Sequence, residues 1–466
     1  VAATGEGAAM SAAETARAIA AREISAVEAV DAALARIELL DPALTAFITV
    51  AAKTAREAAA AADAQVAGGA ELGPLHGVPF GAKDLEWSAG VRTTYGSPRF
   101  ADFVPDADSI AIERLRFAGA ILVGKTNTPE FGLLGETRND LVGETRNPWD
   151  RERTVGGSSG GSTAAVAAGM VPVAIGSDTA GSIPCPAAMC GVFGLKPTRG
   201  LVPTWPDPGD SRILLDSGPI ARSVGDARLL LEAMAGPDPR DPTSFLPPSG
   251  EVPSRPLRIA WNPDWGHLAV DPGVRLATAA AAAAFEELGH GVEEAWPEIG
   301  CDPFEILGPL IAADTRVLFT AQGIDESDLS EYARAEVERL GTPSLTEYVA
   351  ALNALTVYRR RVDAFFEDFD LMLTPATAVA AFPLGRPPAT VDGRSVPARW
   401  TTFMPFQAPC NLAGLPTASV PCGRNREGLP IGLQVSGPRR CEALLLDVCE
   451  RFEEARPWEF PAAAAV

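Results

Sequence analysis

Apolar strand-like runs alternating with capped helical segments predict an α/β protein with a large mixed, mostly parallel β-sheet covered by helices on both faces. Two further observations agree. The chain has 466 residues, 47% of them apolar, which is enough for a sizeable core. It carries no internal repeat and no long low-complexity linker, so it reads as one domain over residues 1–466. A loop-rich segment at about 236–256 and a largely helical, cap-like region at about 300–370 interrupt the alternation.

The elements follow in order. Ser11 with Glu14 and Ser25 with Glu28 are capping-box pairs ahead of helix-periodic runs, so the first 50 residues are helical. Asp108 and Ser109 cap a helix that ends near Gly119, and "AILVG" (Ala120–Gly124) is a buried strand. Ser162–Gly169 is helical; "VPVAIG" (Val171–Gly176) and "VFGL" (Val192–Leu195) are strands. Ser223 and Asp226 open a helix that Gly236 closes. "LRIAW" (Leu257–Trp261) is a strand, followed by a helix from Asp271 and Pro272 to Gly289. The Ala-rich run before Phe285 is broken by Glu286 and Glu287, as befits a surface-packed helix.

Charge excludes several partners. A formal net charge of −21 repels nucleic acid and anionic membrane, and no uninterrupted apolar run reaches the roughly 18 residues of a membrane span. Seven cysteines, an odd number without CxxC, resemble no disulfide framework and favour a reducing cytoplasm. No basic-plus-apolar signal segment opens the chain. Cys185, Cys190 and the scattered histidines make no metal site, and no cofactor is expected. Only His76, His267 and His290 are histidines, and only Lys53, Lys83, Lys125 and Lys196 are lysines, against 35 arginines. An amine that must lose a proton cannot be arginine.

The stretch "TVGGSSGGSTAAVAAG" (Thr154–Gly169) concentrates glycine and serine where backbone must approach something closely. It is no phosphate cradle, because neither Gly-Lys-Ser/Thr nor GxGxxG is present. Its structured, apolar flanks argue against a flexible linker. Gly157–Gly161 fits GxSxG, which would make Ser159 a nucleophile, but "RERTV" is a poor central strand and a later histidine is hard to place. A β-lactamase-type serine is excluded, since none of the four lysines completes SxxK.

The longer stretch Val155–Gly200, "VGGSSGGSTAAVAAGMVPVAIGSDTAGSIPCPAAMCGVFGLKPTRG", closely resembles the signature region of the amidase signature enzymes. So do "LHGVPFGAKD" (Leu75–Asp84), "GKTNTPEFG" (Gly124–Gly132), "SGPIARSVGDARLLL" (Ser217–Leu231) and the paired segments "NLAGLPTASVPCG" and "GLPIGLQV" within Asn411–Val435. The likeness runs from about residue 10 to 460 and implies the amidase signature fold. It also implies a Ser–cis-Ser–Lys triad: Ser182 as nucleophile, Ser158 as the bridging serine after a cis peptide, and Lys83 as base. The backbone N–H groups of Thr179, Ala180, Gly181 and Ser182 would surround the oxyanion. The chemistry is coherent, because a serine hydroxyl needs a base and a lysine buried beside Val78 and Phe80 can lose its proton near neutrality.

Two positions depart from the family pattern. Pro184 stands where arginine is usual, which leaves Asp178 without an expected partner, and Ala180 stands where glycine is usual. Phe131, Leu134, Trp205, Ile213, Phe403 and Met404 are apolar, adjoin the motif segments and are candidate pocket-lining residues. Trp205–Asp216 is turn-rich with an apolar cluster and is expected to act as a lid. The resemblance implies a stand-alone amidase, aryl acylamidase-like or urethanase-like, a monomer or homodimer acting on small neutral amides or carbamates through an acyl-enzyme. The alternatives are a glutaminase subunit of a tRNA-dependent amidotransferase complex and a catalytically silent binding protein.

Overall fold

The structure, a computed structural model, describes residues 10–206, 213–247 and 252–461. Its centre is an eleven-stranded sheet. In chain order the strands are β1 (Phe47–Val50), β2 (Pro79–Lys83), β3 (Ile121–Thr126), β4 (Val173–Asp178), β5 (Phe193–Lys196), β6 (Asp216–Ala221), β7 (Arg258–Trp261), β8 (Gly291–Glu294), β9 (Leu371–Pro375), β10 (Thr417–Arg424) and β11 (Pro430–Ser436). Their order across the sheet is β1-β3-β2-β4-β6-β5-β10-β11-β9-β7-β8.

The sheet is mixed and large, as expected, but its proportions differ from the expected mostly parallel arrangement. Four interfaces are parallel (β2–β3, β2–β4, β7–β8, β7–β9) and six are antiparallel. The hairpin from β10 to β11 shows why: residues 425–429 are too few for a crossover, so the chain must reverse.

Alternating residues of the strands serve two cores. Leu122, Val173, Ile175 and Leu373 join a core beneath helices Ile110–Phe117, Val224–Met234, Pro272–Glu287 and Glu442–Ala455. Their neighbours Ile121, Val123 and Ala174 face the opposite side, against helices Ala26–Leu44, Ala52–Gly68, Gly160–Ala167 and Pro184–Cys190. Met372 and Ala260 face that side too, under helices Pro303–Gln322, Leu345–Asp368 and Gln407–Ala413. The sheet is thus covered on both faces, and each side chain buried on its own face contributes roughly 25 cal/mol per Å² of apolar area.

The helix starts read from the sequence are present. Ser11 and Ser25 each accept from the backbone of the glutamate three residues on, and that glutamate returns the bond. Asp271 accepts from Gly273 and Val274. The glycine-rich stretch begins its helix at Gly160, two residues before the expected Ser162. A methyl group on Gly161 would lie 2.3 Å from the Asn127 nitrogen, and one on Gly160 2.3 Å from Thr137 Oγ1. Glycine is therefore needed for the close approach of this helix to the 127–137 segment. The 300–370 region is largely helical, with helices Pro303–Gln322, Glu331–Leu340 and Leu345–Asp368. Among the described residues, no helix is long and apolar enough to cross a membrane.

Candidate active site

Parallel interior strands β2 and β4 point their C-terminal ends the same way, to one end of the sheet. Lys83 ends β2, is 1% exposed, and donates to Ser158 Oγ at 2.7 Å and to the Ser177 carbonyl at 2.9 Å. Burial lowers its amine from the ordinary 10.5 to about 7, although Asp178 and Glu86 pull the other way. The expectation of a neutral lysine near physiological pH thus has a physical cause here. Asp84, beside it in sequence, faces Thr94 instead, through both its backbone N–H and its hydroxyl.

Ser158 follows a cis peptide from Gly157 and is buried against Gly132, where a methyl group would lie 3.3 Å from Ser158 Oγ. Ser182 occupies the loop between β4 and helix Pro184–Cys190 and is partly exposed. Ser159 N–H donates to the Ser182 carbonyl at 3.1 Å, which fastens the two serine loops together. The Ser159 hydroxyl is fully buried and donates to the Ser177 carbonyl at 3.1 Å. That orientation makes it a tether, not an accessible nucleophile. None of the three histidines borders the cavity.

The Asp178 carboxylate holds the loop that carries Ser182. It accepts from Gly181 N–H at 2.7 Å, Ile183 N–H at 2.6 Å and Asn411 Nδ2 at 2.6 Å. With Pro184 in place of the expected arginine, the partners of Asp178 are backbone amides and Asn411, from helix Gln407–Ala413. Burial pushes Asp178 up, opposed by these hydrogen bonds and by Lys196. Pro184 itself is the first residue of its helix, where its missing N–H costs nothing. Gly181 N–H is engaged within the loop; Thr179, Ala180 and Ser182 border the cavity beside it.

That cavity has a volume of about 230 Å³ and reaches Lys83, Ser158 and Ser182. Of the expected pocket residues, Phe131, Leu134, Trp205 and Met404 line it; Ile213 and Phe403 do not. Phe403 is 1% exposed and packs on Phe382 with ring centroids 4.9 Å apart. Ile213 leans on a neighbouring core, and its carbonyl accepts from Arg199. Half of the expected lid, residues 207–212, lies outside those described. Sequence reasoning missed Trp87, Leu318, Leu340 and Trp400 and the carboxylates Glu86, Asp314 and Glu336. Among the described residues, no arginine lines the cavity.

Known proteins resemble the chain over nearly its whole length. The family model described as Amidase matches residues 28–446. The chain is 38% identical over 472 residues to an acylamidase of Rhodococcus erythropolis, with 96% of each chain covered. It is also 38% identical to a glutamyl-tRNA(Gln) amidotransferase subunit of Moorella thermoacetica, covering 93% of this chain and 94% of the relative. Among solved structures, a bacterial aryl acylamidase of the amidase signature family superposes with a TM-score of 0.89 at 30% identity, covering 96% of each chain. A 6-aminohexanoate cyclic dimer hydrolase in complex with substrate gives 0.86 at 32% identity, covering 97% of this chain and 99% of the other. Matched nearly end to end in sequence and in fold, the chain belongs to the amidase signature family of amide hydrolases.

Proposed function

We propose that the protein hydrolyses small neutral amides or carbamates, apolar or aryl in character, through an acyl-enzyme on Ser182. The observation that carries this reading is the 2.7 Å contact between a buried Lys83 amine and Ser158 Oγ in the wall of a cavity that Ser182 shares. Neutral Lys83 takes a proton from Ser158 as Ser158 takes one from Ser182. Ser182 Oγ then bonds to the carbonyl carbon, and the oxyanion is met by backbone N–H groups of Thr179, Ala180 and Ser182, since Gly181 N–H is held by Asp178. When the C–N bond breaks, the proton returns through Ser158 to the leaving nitrogen. Water, deprotonated by the same relay, attacks the ester carbonyl and releases the acid.

The lining supports the substrate class. Phe131, Leu134, Leu318, Trp400 and Met404 reward burial of a ring, and Lys83 is the lone cation among the described lining residues. A carboxylate on the substrate would shed its water without a fixed charged partner, at a cost of several kcal/mol if buried. The test is a paired kinetic comparison of a neutral anilide or aryl carbamate with a matched compound bearing an acyl-side carboxylate. The neutral compound is expected to have the higher kcat/KM at low and moderate salt; the reverse preference at both would overturn the reading.

The likeness to a glutamyl-tRNA(Gln) amidotransferase supports a second reading, a glutaminase component of such a complex. Glutamine carries an α-carboxylate, which this cavity is poorly furnished to hold. Glutaminase activity exceeding anilide hydrolysis would favour that reading.

A further inference from the structure

Among the described residues, three carboxylates border the cavity: Glu86, Asp314 and Glu336. Glu336 is engaged by the Arg339 guanidinium, with Nε at 2.9 Å, and by Trp400 Nε1 at 3.0 Å. Glu86 differs. It is 8% exposed, and each of its oxygens accepts from a neutral hydroxyl: Ser109 Oγ at 2.9 Å and Ser217 Oγ at 2.6 Å. No ion pair to it is formed among the described residues. Lys125 Nζ bonds the backbone carbonyl of Glu86 and Ser88 Oγ, and its charge is set against Asp84 first, then Glu86. Lys83 is uncharged when it is ready to act as base. Among the described residues, Glu86 thus meets the cavity with hydroxyl partners and no direct ion pair, in the field of Lys125. A carboxylate offers about four acceptor positions, and two hydroxyls leave room for another donor.

Its location is close to the chemistry. Ser217, which clamps Glu86, pairs in register with Ser177, whose carbonyl receives the Lys83 amine. Trp87, Ser109 and Trp205 complete this end of the wall. The net charge of −21 draws cations toward the protein as a whole.

We propose that Glu86 makes this end of the cavity a subsite for a protonated amine, so that amides carrying an alkylammonium group are preferred over neutral isosteres. This rests on the amidase reading of the same cavity and departs from it in one respect: the preferred amide carries a cation remote from the scissile bond, while a carboxylate remains disfavoured. The ammonium would donate to Glu86 beside the Ser109 and Ser217 hydroxyls, while the remainder of the substrate lies along the apolar wall.

The test is binding to the full-length Ser182→Ala protein by calorimetry at pH 8, where an alkylamine is still protonated. The probes are 4-(aminomethyl)acetanilide and its neutral isostere 4-ethylacetanilide, and an ω-aminoacyl anilide and its methyl-terminated isostere. At least one ammonium compound is expected to bind about tenfold tighter than its isostere, the scale of a charge-assisted hydrogen bond. Adding Glu86→Gln should bring that ratio to within about twofold. Neutral isosteres binding as tightly in both pairs, or a ratio unaltered by Glu86→Gln, would overturn the inference. If the Gln variant does not fold, the ratios in the Ser182→Ala protein decide alone. Acyl-enzyme formation by the intact protein is read separately: its absence counts against the amidase reading, while the binding ratios still judge Glu86.

Discussion

Raising the pH should switch the enzyme on with a midpoint near 7. Lys83 must be neutral to accept a proton, and burial brings its amine from 10.5 to about 7. A lysine left at its ordinary value would be only about 0.1% neutral at pH 7.5, whereas one titrating near 7 is mostly neutral there. The difference is a factor of several hundred in competent enzyme, so the buried position of Lys83 behind Ser158 decides whether the relay works at neutral pH. On the acid side, kcat/KM should fall about tenfold for each pH unit below the midpoint, to roughly 1% of its plateau at pH 5. The assay is release of a chromogenic arylamine across pH 5–10 with substrate well below KM. Lys83→Arg should remove the ascending limb along with nearly all activity, because a guanidinium stays protonated. An Arg variant within tenfold of the parent at pH 7, or a parental limb centred above pH 9, would refute the argument that Lys83 is the base.

Other perturbations test the same site. Ser182→Ala should abolish turnover without loss of fold, and peptide mass spectrometry of the parent with a slow-deacylating carbamate should place the adduct on Ser182; an adduct on Ser159 would show that the tether assignment is wrong. Gly132→Ala puts a methyl group 3.3 Å from Ser158 Oγ and 3.2 Å from Leu85 Cδ1 at φ +72°, so kcat should fall more than the roughly 1–2 kcal/mol backbone penalty lowers stability; equal kcat with reduced Tm would mean Ser158 is insensitive to its neighbour. Lys83→Met should gain in Tm relative to the parent most strongly at or below pH 7. Between about 7 and 10.5 the unfolded parent holds a proton that the folded parent has released, so parental stability rises with pH across that window and the variant's advantage should shrink. An advantage that grows from pH 7 to 10 would contradict a depressed Lys83.

Ser11 and Ser25, each three residues ahead of a glutamate, mark their helices through bonds made within one turn, so those starts are legible in the linear chain. The same holds for the apolar runs that became β3 and β4, and for the glycines that bring helix Gly160–Ala167 against its neighbours. Ser158, Ser182 and Lys83 were legible as motif positions, since each sits in a contiguous stretch whose pattern is distinctive. Strand direction was not legible in the same way: a buried apolar strand has the same composition whichever way it runs, and its sense depends on how the chain reconnects. Nor could local pattern supply the partners of Asp178, because Asn411 reaches it from 233 positions away. The cavity wall shows the limit most plainly. Phe403 and Met404 are adjacent and both apolar, yet one packs on Phe382 and the other borders the cavity. Leu318 and Leu340 look like ordinary faces of amphipathic helices until those helices cover the serine loops. Local hydrogen bonding and periodicity act over a few residues and are written in order along the chain; a cavity is the space left when distant elements pack, so its boundary exists only in the folded molecule.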